Sequence, residues 1–229
     1  MHTDASAKIF QSLANPNQPT LVQQIERELL RAVVEGQLPL GARVSESECA
    51  RQMGISRAPL REAARLLEQR GLFVTKPGRG FYVRRYTVQE LDDLYGLRSC
   101  LERFALAEAI AKAPDTDLSR LQVQLSALAK AAVTQSRFKV VEEDIALHQT
   151  LCACSGNARL ARMFDDLAVD LTVLVSRLAD LDIDPKIVAA SHADWVNAAM
   201  ARDLPTADRA LAQHIRDGWL EMKQKADLL

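Results

Sequence analysis

The run Met53-Gly54-Ile55-Ser56-Arg57-Ala58-Pro59-Leu60-Arg61-Glu62-Ala63-Ala64-Arg65-Leu66-Leu67 decides how the chain is read. Gly54 closes one helix and Ser56 caps the next, so a tight turn joins the two. Pro59 is tolerated there because the N–H groups of a first turn have no intrahelical partner anyway. On the helix that follows, Leu60, Ala63, Leu66 and Leu67 fall on one side and pack inward. Arg57, Arg61 and Arg65 recur at i, i+4 and i+8 and form a stripe on the other side. Gly71 ends the helix after Arg70.

Upstream, Leu21, Val22, Ile25, Leu29 and Val33 predict a helix that Gly36 stops. Residues 45–53 read as a short helix, opened by Ser45 and Glu48 in an S-x-x-E capping box. Downstream, Leu72–Thr75 and Phe81–Val83 are two short β-like runs around the turn Lys76-Pro77-Gly78-Arg79-Gly80. Three helices and a hairpin describe a winged helix-turn-helix over residues 20–86, with the arginine stripe on its recognition helix. Residues 41–85 hold ten Lys and Arg against four Asp and Glu, a surplus of six in a chain of net charge −1, so the remainder carries −7. Basic charge gathered on one module is the footprint of phosphate binding. Arginine forks onto guanine or grips phosphates, and Arg79 at the hairpin tip can reach a groove or the backbone. A stripe of arginines alone is as readily a solvated face; the turn, the cap, the glycine-flanked wing and the local charge favour DNA. Residues 1–19 read as a flexible arm.

Beyond Tyr86 the pattern gives helices at about 87–111, 115–133, 137–154, 157–181, 185–202 and 205–226, punctuated by Pro114, Gly156, Pro185 and Pro205. Short connections imply antiparallel neighbours in one bundle over 87–229. The fold expected is mainly α. Aromatic residues are only 5%, too few for a sheet protein, while 48% hydrophobic residues suffice for a core and exclude wholesale disorder. No apolar run of about 18 residues occurs, so no spanning helix is expected. No basic region followed by an apolar stretch opens the chain, so no secretory signal is expected and the compartment expected is the cytoplasm. Cys49, Cys100, Cys152 and Cys154 form no C-x-x-C pair and read as buried or inert thiols.

Polar residues stand on the apolar stripes of the bundle. His148 falls with Val141, Ile145 and Leu151, and Asp144 lies one turn before it. His192 falls with Val188 and Trp195, and His214 with Ala207 and Leu211. Burying four such groups is costly unless each is satisfied. Two readings follow: three separately hydrogen-bonded core histidines, or one shared divalent ion on Asp144, His148, His192 and His214. Three imidazoles and a carboxylate suit Zn²⁺ or Ni²⁺. Arg98 lies on the stripe Leu91, Leu94, Leu101, Ala105; it either pairs with Glu102 or forks onto an effector carboxylate. Asn157 either caps the next helix or lines a pocket. Arg177 stands beside its helix's main stripe and is the weaker candidate. Met163, Leu167, Leu171, Leu174 and Leu178 read as core or dimer interface.

The strings Glu35-Gly36-Gln37-Leu38-Pro39-Leu40-Gly41, Ser45-Glu46, Gly54-Ile55-Ser56-Arg57-Ala58-Pro59-Leu60-Arg61-Glu62-Ala63, Glu68-Gln69-Arg70-Gly71-Leu72 and Gly78-Arg79-Gly80 resemble the GntR family of bacterial transcription regulators. The resemblance covers about residues 20–85 and implies that Ser56, Arg57, Arg61, Gly78 and Arg79 contact operator DNA. Val44 and Cys49 stand where the family usually has leucine, small apolar changes in a core. Asp144-x-x-x-His148, Ser155-Gly156-Asn157, His192, Asp203 and His214 resemble the FCD effector domain of the FadR branch, in its six-helix type. This second resemblance covers about residues 90–222. It implies a divalent metal on Asp144, His148, His192 and His214, and a small carboxylate or sugar acid as effector, reached by Arg98. The function expected is a metabolite-responsive regulator, a repressor by the family's commonest sense, binding a near-palindromic operator as a homodimer. Two rivals remain: a metal-dependent hydrolase-like enzyme, disfavoured by the lack of H-E-x-x-H, and a sequence-indifferent DNA binder.

Overall fold

Thr20 starts the first helix. Its hydroxyl accepts from the Gln23 N–H, and the Gln23 side chain accepts from the Thr20 N–H, a reciprocal box that opens α1 (Leu21–Val34). The computed structural model describes residues 19–134, 136–178 and 185–225. Residues 1–18 of the arm expected over 1–19, the stretch 179–184 and the residues past 225 lie outside the described residues.

Helices α2 (Glu46–Met53) and α3 (Arg57–Gln69) flank a turn in which Gly54 takes the left-handed φ of 66°. The capping box expected at α2 is half formed. Ser45 Oγ accepts from the Glu48 N–H at 3.4 Å, but the Glu48 carboxylate accepts from Arg51 and Gln52 instead of returning the bond. Ser56 occupies the N-cap position of α3 in extended conformation, yet its hydroxyl makes no capping bond. Strands β1 (Phe73–Lys76) and β2 (Gly80–Val83) pair antiparallel in the register Phe73 to Val83 and Lys76 to Gly80. Leu29, Val33, Leu60, Leu67 and Phe73 close the core of this module, and Val44 is buried within it.

The bundle comprises α4 (Val88–Lys112), α5 (Asp115–Val133), α6 (Arg137–Cys154), α7 (Ala158–Leu178), α8 (Pro185–Met200) and α9 (Leu204–Gln224). Among the described residues these complete nine helices. Helix α5 packs on α6 and α8, α9 on α4 and α8, and α6 on α4 and α7. Helix α8 stops at Met200, short of the expected 202, because Arg202 takes φ 56° and its guanidinium donates to the Ile110 and Ala113 carbonyls at the end of α4.

The inward face of α4 departs from the expected stripe. Leu91, Tyr95, Arg98, Glu102 and Ala105 are buried, whereas Leu94 and Leu101 are only partly so. The thiols also divide: Cys152 and Cys154 are buried, Cys49 is half-buried, and Cys100 is exposed. Along α7, Leu171 and Leu174 are core, but Met163 is exposed. The winged module rests on the bundle through Tyr86, whose hydroxyl donates to Asp170 at 2.8 Å, and through Arg177, which donates to the Val33 carbonyl at 2.6 Å. No described helix is long and apolar enough to cross a membrane.

Candidate metal centre

Four helices bring polar side chains to one buried point. Helix α6 supplies Asp144 and His148 one turn apart, α8 supplies His192, α9 supplies His214, and α4 supplies Arg98 and Glu102. His148 Nε2 lies 3.3 Å from His192 Nε2, and His192 Nε2 lies 3.1 Å from Asp144 Oδ1. One nitrogen of each of His148, His192 and His214 lies within 4.8 Å of the others. A first-row ion with bonds of about 2.0–2.2 Å sets neighbouring donors about 3–3.5 Å apart, so the His148–His192 and His192–Asp144 separations fit one ion. The chemistry of the set fits as well: imidazoles and a carboxylate, converging from helices whose own packing fixes them.

The orientation of His148 is set from behind. Its Nδ1 lies 2.6 Å from Glu102 Oε2, which accepts the Nδ1–H and leaves the Nε2 lone pair facing the centre. Glu102 Oε1 also accepts from Arg98 Nε at 2.6 Å, and Arg98 Nη2 reaches His148 Nε2 at 2.9 Å. Trp195 stacks on the His148 ring, centroids 5.8 Å apart. Burial alone would raise the Asp144 carboxyl, but His192, His148 and Arg98 together outweigh it and hold the group at about 2. Burial, then His192 and His148, push His214 well below the usual imidazole range. Burial also lowers His148, against the pull of Glu102. Asp144, His148 and His214 are thus each pushed toward the unprotonated form that metal binding requires.

A cavity of about 570 Å³ opens onto this point. Asp144, His192 and His214 form one end, Val140, Val141 and Val175 contribute apolar wall, and Arg137, Asp217 and Glu221 add charge. Arg98 is not in the lining; it stands behind the histidines, paired with Glu102 as one reading held, and it touches His148 and not the cavity from which an effector carboxylate would reach it. Asn157 is exposed, and its Oδ1 accepts from the Arg159 and Leu160 N–H groups at 3.1 Å, which makes it the cap of α7 and not a cavity residue. Arg177 points to the winged module through Val33.

On that module Ser56, Arg57, Arg65, Gly78 and Arg79 are exposed. Arg61 is exposed too, but its Nη2 lies 2.7 Å from Glu46. Three participants escaped the reading of the sequence. Glu102 was read as a partner of Arg98 alone, though the i, i+4 spacing marked it. Tyr95 is absent from the expected stripe of its helix and Trp195 enters only as a neighbour of His192, yet the Tyr95 hydroxyl and Trp195 Nε1 are buried without a hydrogen-bond partner among the described residues.

Residues 21–83 match the family described as bacterial regulatory proteins, gntR family, and residues 93–217 match the FCD domain. Among curated proteins, the probable D-xylose utilization operon transcriptional repressor of Paenarthrobacter nicotinovorans is 29% identical over 86% of each chain. The HTH-type transcriptional repressor RspR of Escherichia coli is 28% identical over 89% of each. Among solved structures, E. coli McbR/YncC superposes with a TM-score of 0.76 at 24% identity, covering 91% of this chain and 99% of its own. A GntR regulator from Rhodococcus gives 0.74 at 20% identity, covering 89% and 97%. Both structures share the fold.

Proposed function

The chain belongs to the gntR family of bacterial regulatory proteins and carries an FCD domain, and from that premise we propose that a small carboxylate, bound at a metal-centred cavity, sets its affinity for operator DNA. It is a DNA-binding transcription regulator, not an enzyme, as its relatives are. The observation that carries the proposal is the cluster of His148, His192 and His214, with Asp144 against His192, beside a cavity that Asp144, His192 and His214 line, in one chain with an exposed arginine face.

Arg57, Arg61 and Arg65 on α3 read the major groove, and Ser56, Gly78 and Arg79 hold the backbone at the turn and wing. The partner is a near-palindromic operator, each protomer of a cytoplasmic homodimer taking one half-site. Zn²⁺ or Ni²⁺ suits the donor set, and such an ion supplies open positions for a carboxylate oxygen. The chain's own residues do the rest. Glu102 fixes the His148 tautomer, Val140, Val141 and Val175 give the cavity an apolar wall, and Tyr86 and Arg177 tie the bundle to the winged module. An effector shifts operator affinity only by binding one arrangement of these modules better than the other. Repression relieved by effector is the sense we assign.

The test is metal content. The purified wild type retains about one divalent ion per chain, and His148→Ala loses it together with thermal stability. Stoichiometric metal in His148→Ala would rule out this ligand set.

A further inference from the structure

Arg98 Nη2 stands 2.9 Å from His148 Nε2, a full hydrogen-bond distance, and the whole guanidinium is buried. With its Nδ1–H given to Glu102, the imidazole has one in-plane lone pair, on Nε2. A coordination bond uses that same lone pair. The two contacts exclude each other.

We propose that Arg98 and a metal ion compete for the Nε2 lone pair of His148, so that loading the centre turns the guanidinium away and frees it to receive an anion. This rests on the metal-centre reading above and adds an order to it: metal first, anion second. Arg98 can turn without losing its charge partner. Its Nε donates to Glu102 Oε1 at 2.6 Å, and this contact serves as the pivot while Nη2 swings. The neighbourhood supplies a second donor. Tyr95 lies one turn earlier on the same face, its ring centroid 5.6 Å from Arg98 Cζ, and its hydroxyl is buried without a partner among the described residues. Gly218 of the cavity wall backs onto that hydroxyl; a Cβ there would lie 3.8 Å from it. A freed Nη2 and the Tyr95 hydroxyl beside it are donors of the kind an oxyanion wants.

Nickel titration of the full chain by calorimetry at neutral pH tests this, with wild type, Arg98→Lys and Arg98→Met. Lysine keeps the positive charge beside Glu102 but loses the fork that reaches two partners at once, so it separates lone-pair competition from simple charge repulsion. Both variants should bind nickel about tenfold more tightly than wild type, the worth of one charge-assisted hydrogen bond. Tighter binding by Met alone, or no change in either, overturns the competition while leaving the metal centre standing. Failure of all three proteins to bind nickel overturns both. A crystal structure of nickel-loaded wild type gives a readout independent of the variants' folding. Arg98 Nη2 should lie out of hydrogen-bond reach of His148 Nε2, and persistence of that contact beside a bound ion contradicts the proposal.

Discussion

To meet DNA as proposed, Arg61 must first leave Glu46. Their side chains are 54% and 18% exposed, and a pair so placed contributes only about 0–1 kcal/mol, little enough for a base or phosphate to displace. Arg61→Ala should weaken operator binding by about 1–3 kcal/mol and relax discrimination at one base position. Mobility-shift titrations on the operator and on single-base variants check this; unchanged affinity would remove Arg61 from the interface. Asn157 separates capping from sensing. Asn157→Ala should cost about 0.5–2 kcal/mol in urea unfolding, the range for losing a cap, and leave effector response intact. Lost response at unchanged stability would return Asn157 to the effector site. The centre itself was legible because Asp144, His148, His192 and His214 break apolar stripes, which local periodicity exposes. The second bond of Glu102, to His148, was not legible, since its partner is 46 residues away. The orphan atoms of Tyr95 and Trp195 were not either, because whether a buried polar atom finds a partner is decided only by packing.

At the scale of elements, helix starts were read more surely than helix faces. Caps are local chemistry, and Thr87 with Glu90 opens α4 by a reciprocal box within a residue of the expected start. The inward face of α4 was misread because the helix is apolar on more than one side: Leu97 and Phe104 are 40% and 53% exposed. A periodicity argument cannot choose between two apolar faces. Glu90 links α4 to the end of the wing, and the bond from Arg84, then the Thr87 N–H, holds its carboxyl at about 2. A carboxyl lowered on folding stabilises above its unfolded value, and that contribution is lost as pH falls through the folded value. The gap in urea midpoint between wild type and Glu90→Gln should therefore be full above pH about 5 and close as pH falls toward 2. A gap independent of pH over that window would mean that Glu90 acts by shape alone.

The molecule as a whole is two modules with a polar seam. Tyr86 donates to Asp170, Arg84 spans Glu90 and Asp170, and Arg27 pairs with Glu142. Short connections made the antiparallel bundle legible; the seam was not, because apart from Arg84 and Glu90 its partners lie 84 to 144 residues apart in sequence. If the seam carries the signal, Tyr86→Phe should leave metal binding and effector-free operator binding within about twofold of wild type while shrinking the effector's influence on the operator, since it removes one hydrogen bond from the coupling and none from either site. Equal influence in both proteins would place the coupling elsewhere. The most direct test of the central claim is selection of genomic fragments by the purified chain at fixed salt, with and without zinc and a pool of small carboxylates. The account predicts one enriched near-palindromic site whose recovery changes on that addition. Uniform recovery of fragments, or an enriched site indifferent to metal and carboxylates, would contradict it.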